Sequence, residues 1–469
     1  MYIKKLPEIA AISSSLFMAI LAAYILDLSI DATVSLAIFF LVVLVTLLKW
    51  EYRLAISLFG VSILFYLGIL KFEEFIVHTN LDIIIFLLAM MIIVGYLEEN
   101  NYFTYLISKI IKYMHGSGVK TIALLMLMGA FFSAIVDEVT AILFMIAITL
   151  EIAAIYEVDP YPLILAVTFS VIIGGTATLM GDPVAIIIAF EGNLTMSEFL
   201  NWATPITILN LFILLAIIIL FIRRELREMT RHMEKLTLYE VVETIKRDKP
   251  VKTRLSTILL IGVLTLIVFH DPLSQILSNL LNKEVTSEIF LIGSPLILAS
   301  ILLLVDWKSA KLVLLHRVDW MTLLFFMFFF VIVGSLEVTG VLRKILDSIL
   351  ILTGNSELKI FLFITILSGV LSIFIANVMT VATVAPLIRE LSLMGLHVYP
   401  LWWGVLFASV FMALSTPVGT AASLVMLGML DRHKIGRVSF RRWIKIGMPS
   451  AIITTVVSIL IIFVRGFLL

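Results

Sequence analysis

Three carboxylates and a cluster of glycine and threonine residues interrupt segments of the sequence that are otherwise apolar. Asp137 and Glu138 stand in the middle of one apolar stretch and are followed by Thr140. Residues 174–183 read Gly-Gly-Thr-Ala-Thr-Leu-Met-Gly-Asp-Pro and lie deep in a second stretch. A carboxylate near the centre of a bilayer costs about 2.5–3.5 kcal/mol on insertion scales, so it usually faces a cavity and takes part in function. These residues are therefore candidates for an ion-binding site.

Glycine, threonine and proline together favour a break in a membrane helix. Such a break leaves backbone carbonyls free to bind a cation and the N-terminus of a half-helix free to bind an anion. The second half of the chain repeats these residue types, with Asn377 and Thr380 in one segment and Ser-Thr-Pro-Val-Gly-Thr at 415–420 in another. We therefore expect two helix breaks, one in each half.

The two halves differ in charge at these positions. Asp137, Glu138 and Asp182 give the first half three carboxylates, whereas the matching positions of the second half are Asn377, Val378 and Thr420, all of them uncharged. If the site binds a cation, we expect it in the first half, where a buried carboxylate could also accept a proton. No Arg or Lys lies in the predicted site, so a di- or tricarboxylate would depend on half-helix dipoles and backbone donors.

The composition shows what kind of protein carries these residues. The chain has 469 residues, of which 62% are hydrophobic and 14% charged, with a mean hydropathy of +1.16, 33 basic and 33 acidic residues and no cysteine. Soluble domains are about 45–50% apolar and about 25% charged, which excludes a soluble enzyme. Zero net charge excludes a nucleic-acid binder that relies on bulk positive charge. Without cysteine there is no disulfide, iron–sulfur cluster or thiolate metal site.

The distribution of charge predicts the topology. Basic residues in short loops mark the cytoplasmic side, and they collect in four segments: 4–5, 49–53, 223–254 and 432–445. This assignment is consistent only if the segments 121–150 and 360–388 each enter and leave on one side, as re-entrant hairpins do. The fold class is thus an all-α polytopic membrane protein with about eleven transmembrane helices and two re-entrant hairpins. The N-terminus is expected in the cytoplasm and the C-terminus outside.

An internal repeat relates the two halves. Gly-Tyr-Leu-Glu at 95–98 recurs as Gly-Ser-Leu-Glu at 334–337, and further matches follow in the same order along the chain. The predicted topology gives the two copies opposite orientations, and inverted repeats with broken helices are typical of secondary transporters. Glu98 and Glu337, which end the repeated motif, are interpreted as structural.

The repeat divides the chain into five parts. We predict N-terminal scaffold helices, a first inverted repeat with a hairpin and a broken helix, a basic cytoplasmic linker, further scaffold helices, and a second inverted repeat with its own hairpin and broken helix. Their limits are 1–80, 81–222 (hairpin 121–150, broken helix 160–190), 223–254, 255–318 and 319–469 (hairpin 358–390, broken helix 399–428). Amphipathic helices near 102–114 and 341–352 are expected to lie along the interface as arms that link a mobile part to a fixed part.

These motifs resemble the ion transporter superfamily. The branch in question contains arsenite permeases, the melanosomal P protein, citrate–metal symporters and one class of sodium/proton antiporter, and the resemblance covers residues from about 80 to the end. Relatives usually have Asp-Asn-Val-Thr at the hairpin tip, where Glu138 replaces the asparagine here. In the second half relatives often read Gly-Gly-Asn-Gly-Thr-Leu-Ile-Gly, of which this chain keeps Thr416 and Gly419.

The resemblance implies a divalent anion–sodium symporter-like fold, with a scaffold domain, a transport domain, a homodimer and elevator-type motion. It also implies that substrate and ion bind between hairpin tips and broken helices. The implied binding residues are Asp137, Glu138, Thr140, Thr176, Thr178, Gly181 and Asp182 in the first half, and Asn377, Thr380, Ser415, Thr416, Gly419 and Thr420 in the second. The helix breaks involve Gly174, Gly175, Pro183 and Pro417, and sodium would bind at Asp137, Thr140 and Thr178.

The leading functional hypothesis is a secondary active transporter in the plasma membrane. It would carry arsenite or another small anion, coupled to Na⁺ or H⁺, with no enzymatic activity, no cofactor and no partner beyond lipid, its ion and a second copy. A sodium/proton antiporter and a di- or tricarboxylate symporter are the alternatives. A passive channel and a purely structural membrane protein are more distant readings. An intramembrane aspartyl protease would need Asp137 and Asp182 as its pair, but Leu179 and Met180 precede Gly181-Asp182 in place of the glycine of its signature.

Overall fold

A computed structural model describes residues 6–102, 105, 116–233, 253–432 and 440–468, and these residues form helices without any strand. The all-α polytopic class is therefore confirmed. In the described part of the chain, five α-helices precede the first hairpin. They are α1 (Leu6–Leu26), α2 (Ile30–Leu48), α3 (Arg53–Tyr66), α4 (Phe72–Val77) and α5 (Leu81–Glu99).

The next six helices contain the first hairpin and the first broken helix. They are α6 (Gly118–Ile135), α7 (Glu138–Ile155), α8 (Pro160–Gly175), α9 (Pro183–Glu191), α10 (Met196–Phe221) and α11 (Arg223–Met233). Only Val136 and Asp137 separate α6 from α7, and the two helices pack against each other as a hairpin. Residues 176–182 separate α8 from α9, each of which is too short to cross the roughly 30 Å hydrocarbon core alone.

The remaining helices contain the second hairpin and the second broken helix. They are α12 (Thr253–Val268), α13 (His270–Leu281), α14 (Ser287–Val305), α15 (Trp307–His316), α16 (Trp320–Val338), α17 (Val341–Thr353), α18 (Glu357–Phe374), α19 (Asn377–Leu393), α20 (Tyr399–Ala413), α21 (Ala421–Arg432) and α22 (Phe440–Leu468). Helices α18 and α19 form a hairpin around Ile375 and Ala376, and residues 414–420 separate α20 from α21.

The helices pack in two groups. In the first, α2 lies against α3, α3 against α16, and α5 against α14 and α15. In the second, the hairpins lie against the broken helices: α6 and α7 pack on α8, α18 packs on α20, α7 packs on α21, and α9 packs on α19. The last two contacts cross between the halves of the chain, so each hairpin touches the broken helix of the other repeat.

Equivalent contacts close both helix breaks. The hydroxyl of Thr178 donates to the carbonyl of Ala134 at the end of α6, and the hydroxyl of Thr416 donates to the carbonyl of Ile373 at the end of α18 at 2.8 Å. Each break is thereby fastened to the tip of its own hairpin. These paired contacts, one in each half, are what an internal repeat produces.

The breaks also need glycine. A Cβ placed on Gly181 would meet the carbonyl oxygen of Gly175 at 2.5 Å, and one on Gly419 would overlap the carbonyl oxygen of Ala413. Because these neighbours are backbone atoms, they cannot rotate away as a side chain would. A Cβ on Gly174 would likewise overlap the backbone of Ala130 in α6, so this glycine permits tight helix packing as well as a break.

The number of helices that are long enough to span a membrane differs from the number of crossings that the topology predicts. Among the described residues nine helices are long and apolar enough to span a membrane, or ten if the pair α12 and α13, bent by 81°, is one span. Three of the nine are hairpin arms of 18 residues, α6, α7 and α18, because an arm of that length passes the same test. The separate halves of each broken helix are too short to pass this length test. The eleven predicted crossings count each broken helix once and leave out both hairpins.

Two predicted surface segments are only partly described. The arm expected near 102–114 lies almost entirely outside the described residues, as does most of the basic linker after Met233. Its repeat partner is α17, whose buried face consists of Val341, Leu342, Leu346, Ile349 and Thr353 while Arg343 and Lys344 are exposed. That one-sided burial fits the amphipathic pattern expected for an interfacial arm.

Candidate functional site

The tip of the first hairpin is built on Asp137. Its Oδ1 accepts hydrogen bonds from the backbone N–H groups of Val139 and Thr140, both at 2.9 Å, so the side chain caps the start of α7. An aspartate at this position satisfies donors that the first turn of a helix leaves free. The residue that carries the charge at the tip therefore also defines where the second arm begins.

The second hairpin meets the first broken helix at Asn377. Its Nδ2 lies 3.5 Å from Oδ2 of Asp182 and donates to it, and its backbone N–H donates to the carbonyl of Gly419 at 3.0 Å. Asn377 and Asp182 are both fully buried. One residue of hairpin two thus contacts the break of each repeat, which brings together polar positions that lie far apart in the sequence.

Capping side chains start the helices that follow both breaks. Asp182 Oδ1 accepts from the N–H of Val184 at 2.7 Å and caps α9, while the hydroxyl oxygen of Thr420 accepts from the N–H of Ser423 at 3.0 Å at the start of α21. The two caps have the same geometry, but the cap in the first half, Asp182, is a carboxylate and the cap in the second half, Thr420, is neutral. This is the charge asymmetry that the sequence predicts.

Glu138 lies beside this cluster and is fully buried. Among the described residues no side chain donates a hydrogen bond to either of its carboxylate oxygens. The hydroxyl oxygens of Ser133, Thr380 and Ser415 have no hydrogen-bond partner within the described part of the chain. Buried polar groups without partners are costly, so these oxygens are the ones that a bound cation, a proton or water would satisfy.

A cavity of about 290 Å³ opens beside the two tips. Its transport-side wall contains Asp137, Thr140 and Asn377, together with Met180 and Pro183 at the first break. The opposite wall comes from α3, α5 and the connection between α15 and α16. The volume is at the lower limit of small-molecule sites, and both hairpin tips face the same space.

The opposite wall carries two arginines, whereas the sequence predicts a site without arginine or lysine. Arg53 and Arg317 both line the cavity. Arg317 donates from Nη1 to Glu98 at 2.6 Å and from Nε to Glu99 at 3.0 Å. The sequence places Arg53 in a basic loop and gives no signal at Arg317, because nothing in a local pattern shows which cavity a charge at a helix end faces.

Arg53 is held in place by its neighbours. Nη2 donates to the hydroxyl of Thr322 at 3.0 Å and Nη1 to the carbonyl of Trp50 at 3.2 Å, and the guanidinium lies 4.7 Å from the centre of the Trp50 ring. Asp319 is 3.8 Å away. The positive charge at this wall is therefore fixed in orientation and partly balanced.

Several predicted site residues do not line the cavity. The hydroxyl of Thr176 donates to the carbonyl of Ile173 at 2.7 Å and lies 2.8 Å from the hydroxyl of Thr207 in α10. Thr178 and Thr416 fasten the breaks to the hairpins, as described above. The other predicted residues that do not line the cavity are Glu138, Gly181, Asp182, Thr380, Ser415, Gly419 and Thr420. Pro417 lies in the second break. Within the described ranges, no three His, Cys, Asp or Glu side chains converge as a metal-binding group.

Comparison with known proteins identifies the family. The pattern of the CitMHS citrate transporter family matches residues 34–349 and 289–468. An uncharacterised transporter of Mycobacterium tuberculosis is 30% identical over 82% of this chain and 86% of its own length. A 46 kDa membrane protein of Mycobacterium leprae is 31% identical over 79% of this chain and 84% of its own length.

A more distant relative connects the chain to the branch that the motifs resemble. The human P protein is 26% identical over 79% of this chain, which spans 52% of that protein's length. The family match covers both repeats, both hairpins and both breaks. The chain belongs to the CitMHS citrate transporter family and is a multi-pass membrane transporter.

Proposed function

We propose that the protein is a secondary active transporter that moves a small anion together with Na⁺ or H⁺ by an elevator-type mechanism. The contact between Asn377 and Asp182 is the observation that carries this proposal. It joins the second hairpin tip to the first helix break beside a cavity that both hairpin tips line. A site made by two inverted repeats at their broken helices is typical of alternating-access carriers.

The two packing groups supply the parts of an elevator. We assign the hairpins, the broken helices and the helices packed on them, α6–α11 and α18–α22, to a transport unit. Helices α1–α5 and α12–α16 form a scaffold, and α17 is the arm between the two units. The cavity lies between the two units and contains Glu98 and Arg317, which the charge pattern places on the cytoplasmic side. The arrangement therefore corresponds to an inward-open state in the predicted orientation.

The substrate candidates are arsenite and di- or tricarboxylates. Two observations favour a carboxylate substrate: the citrate transporter family pattern matches this chain, and Arg53 and Arg317 line the wall opposite Asp137. Guanidinium groups bind carboxylates through charge-assisted hydrogen bonds. The coupling cation would bind near the oxygens of Asp137, Thr140 and Thr178, with Glu138 and Asp182 adding negative charge.

Flux into liposomes tests the proposal. Purified protein would be reconstituted and supplied with labelled citrate, other di- and tricarboxylates, arsenite or phosphate under a Na⁺ gradient, a pH gradient or neither. We expect accumulation of one of these anions against its own gradient when one cation gradient is present. Flux that only follows the anion's own gradient, at rates far above carrier turnover, would indicate a channel. Exchange of Na⁺ for H⁺ without any anion would identify an antiporter.

A further inference from the structure

A second polar cluster lies across the molecule from the cavity, at the end of the scaffold that the charge pattern places outside. Arg389 of hairpin helix α19 donates from Nη2 to both carboxylate oxygens of Glu337, at 3.0 and 2.9 Å. Its Nη1 lies 3.5 Å from Oε2 of Glu191, at the end of α9. Asn80, at the start of α5, donates to the other oxygen of Glu191 at 3.1 Å.

Each of these bonds has one partner on the transport unit and one on the scaffold, except the pair formed by Arg389 and Glu191. Those two belong to α19 and α9, which pack together within the transport unit. Glu337 and Asn80 belong to α16 and α5 of the scaffold. The cluster therefore bridges the two parts that must move relative to each other during an elevator cycle.

The same region is closed sterically. A Cβ on Gly334 would overlap the ring of His78, so the glycine allows His78 to lie directly against α16. The space left among these side chains is about 20 Å³, compared with about 290 Å³ for the cavity on the other side. The molecule is thus open on one side of the hairpin tips and sealed on the other.

The inverted repeat does not reproduce this bridge on the open side. The repeat partner of Glu337 is Glu98, and its cation is Arg317, which follows α15 in the scaffold. The ion pair of Glu98 therefore lies within the scaffold and leaves the transport unit free there. Among the described residues, the bridge from Arg389 to Glu337 thus has no counterpart at Glu98 on the open side.

We propose that Arg389 latches the transport unit to the scaffold through Glu337 and thereby favours the state that is open on the cavity side. This inference rests on the proposed alternating-access function. Arg389 is a positioning residue, because it lies outside the cavity and acts on the equilibrium between two states. Removing it should shift that equilibrium without removing a ligand of the transported ions.

The absence of cysteine from the sequence allows a direct test, because single cysteines can be introduced without background labelling. One reporter is Ala382→Cys, at a residue that lines the sealed cluster and is 4% exposed. The other is Met91→Cys in the open cavity. Each reporter would be combined with Arg389→Gln or Glu337→Gln, and the maleimide labelling rate would be measured on the full-length protein in detergent.

We expect both latch variants to raise labelling at residue 382 about fivefold and to lower labelling at residue 91, as expected for the loss of a partly exposed ion pair. The double variant Arg389→Gln/Glu337→Gln should change the rates little beyond either single variant, because both remove the same bond. The matched control is Arg224→Gln, since Arg224 is exposed and its ion pair, 3.1 Å to Glu228, lies within its own helix.

Three outcomes bear on the latch. Unchanged rates in Arg389→Gln and Glu337→Gln overturn it, and so does a parallel rise at both reporters, which would mean general loosening. Opposite changes at the two reporters support it.

The failure of the latch can be distinguished from the failure of the proposed function. If liposomes with the wild-type protein move none of the tested ions while the reporters respond oppositely, the transport proposal is refuted and the latch is supported. If transport is found and the reporters do not respond, only the latch fails.

Discussion

The side-chain amide of Asn377 donates to the carboxylate of Asp182 across 195 positions of sequence, with 3.5 Å between the two atoms. The bond joins the start of one hairpin arm to the cap of the opposite broken helix. Both residues are fully buried, so the pair is shielded from water and a change of charge on either side chain should affect folding.

Exchanging the two residues tests whether the pair matters as a unit. Asn377→Asp alone places a second carboxylate next to Asp182, and we expect it to cost about 1–3 kcal/mol of unfolding free energy, within the range of couplings between contacting residues. Asp182→Asn in the same chain restores one amide and one carboxylate and should recover most of that loss. Thermal unfolding in detergent measures both. Strictly additive effects of the two substitutions would show that the side chains do not interact.

Asp137→Asn separates the charge of the first hairpin tip from its capping role. Asparagine caps helices about as well as aspartate, so the unfolding free energy should stay within about 0.5 kcal/mol of the wild type. Gradient-driven flux should be abolished, because the cation loses its carboxylate ligand. Asp159→Asn is the control, since Asp159 caps α8 through the N–H of Tyr161 at 3.1 Å and is exposed. Flux of Asp137→Asn equal to that of the wild type would refute the assignment of this residue.

The glycines of the breaks should be sensitive to a single methyl group. Gly181→Ala would push a Cβ into the backbone of Gly175 and Ser133, and we expect a loss of about 1–3 kcal/mol, as for other overpacked sites. Gly293→Ala provides the comparison, because a Cβ there meets no atom within 4 Å and alanine favours a helix by up to about 1 kcal/mol. Thermal unfolding of both variants gives the answer, and a tolerated Gly181→Ala would mean that the break can relax.

Replacing Arg53 in the cavity tests whether the substrate is a carboxylate. If a di- or tricarboxylate is carried, Arg53→Gln should raise the KM for citrate at least about tenfold, since a hydrogen bond to a charged group contributes about 1.5–3 kcal/mol. Arg224→Gln is the matched control, because Arg224 pairs with Glu228 on the surface helix α11, outside the cavity. Equal KM values in the two variants would argue against carboxylate recognition by Arg53.

His78 gives the protein a pH-dependent term in stability. Burial lowers the pKa of His78 below its ordinary value of about 6.5, against the opposing effect of Glu337, while Arg389 lowers it further and Glu74 raises it. Because the unfolded chain then takes up its proton first, stability is fully present above about pH 6.5 and falls as the pH drops below that value. Thermal unfolding at a series of pH values would show this, and His78→Gln should flatten the dependence in that range. An unchanged slope in the variant would assign the effect to another group.

The sequence was sufficient to predict structure where a local pattern has one physical explanation. Apolar runs of about 20 residues can only be satisfied in a bilayer as helices, and the glycine, threonine and proline residues of 174–183 interrupt one of them. In the structure one helix ends at Gly175 and the next begins at Pro183, within that interrupted stretch. The polar tips at Asp137 and Asn377 were likewise evident, because polar residues are costly in a membrane and rare there.

The scaffold wall could not be found in the same way. Arg53 and Arg317 lie at helix ends, where basic residues are common because of topology. Whether such a side chain faces water, lipid or a cavity depends on how α3, α5 and α16 pack. Two buried serines, Ser133 in α6 and Ser372 in α18, give no signal in the sequence for a related reason: a single serine in a membrane helix usually bonds to its own backbone. Here neither hydroxyl has a partner among the described residues.

The sequence by itself determined the membrane class, the internal repeat, the two hairpins and the charge asymmetry between the halves, because each follows from hydropathy, recurring motifs or the cost of a buried charge. Only the tertiary structure decided which of these polar residues meet. It brought Asn377 to Asp182, placed Arg53 opposite Asp137, and joined Arg389 to Glu337 on the sealed side. Such pairs depend on the docking of one packed unit against another, and docking is set by the summed shape of many side chains.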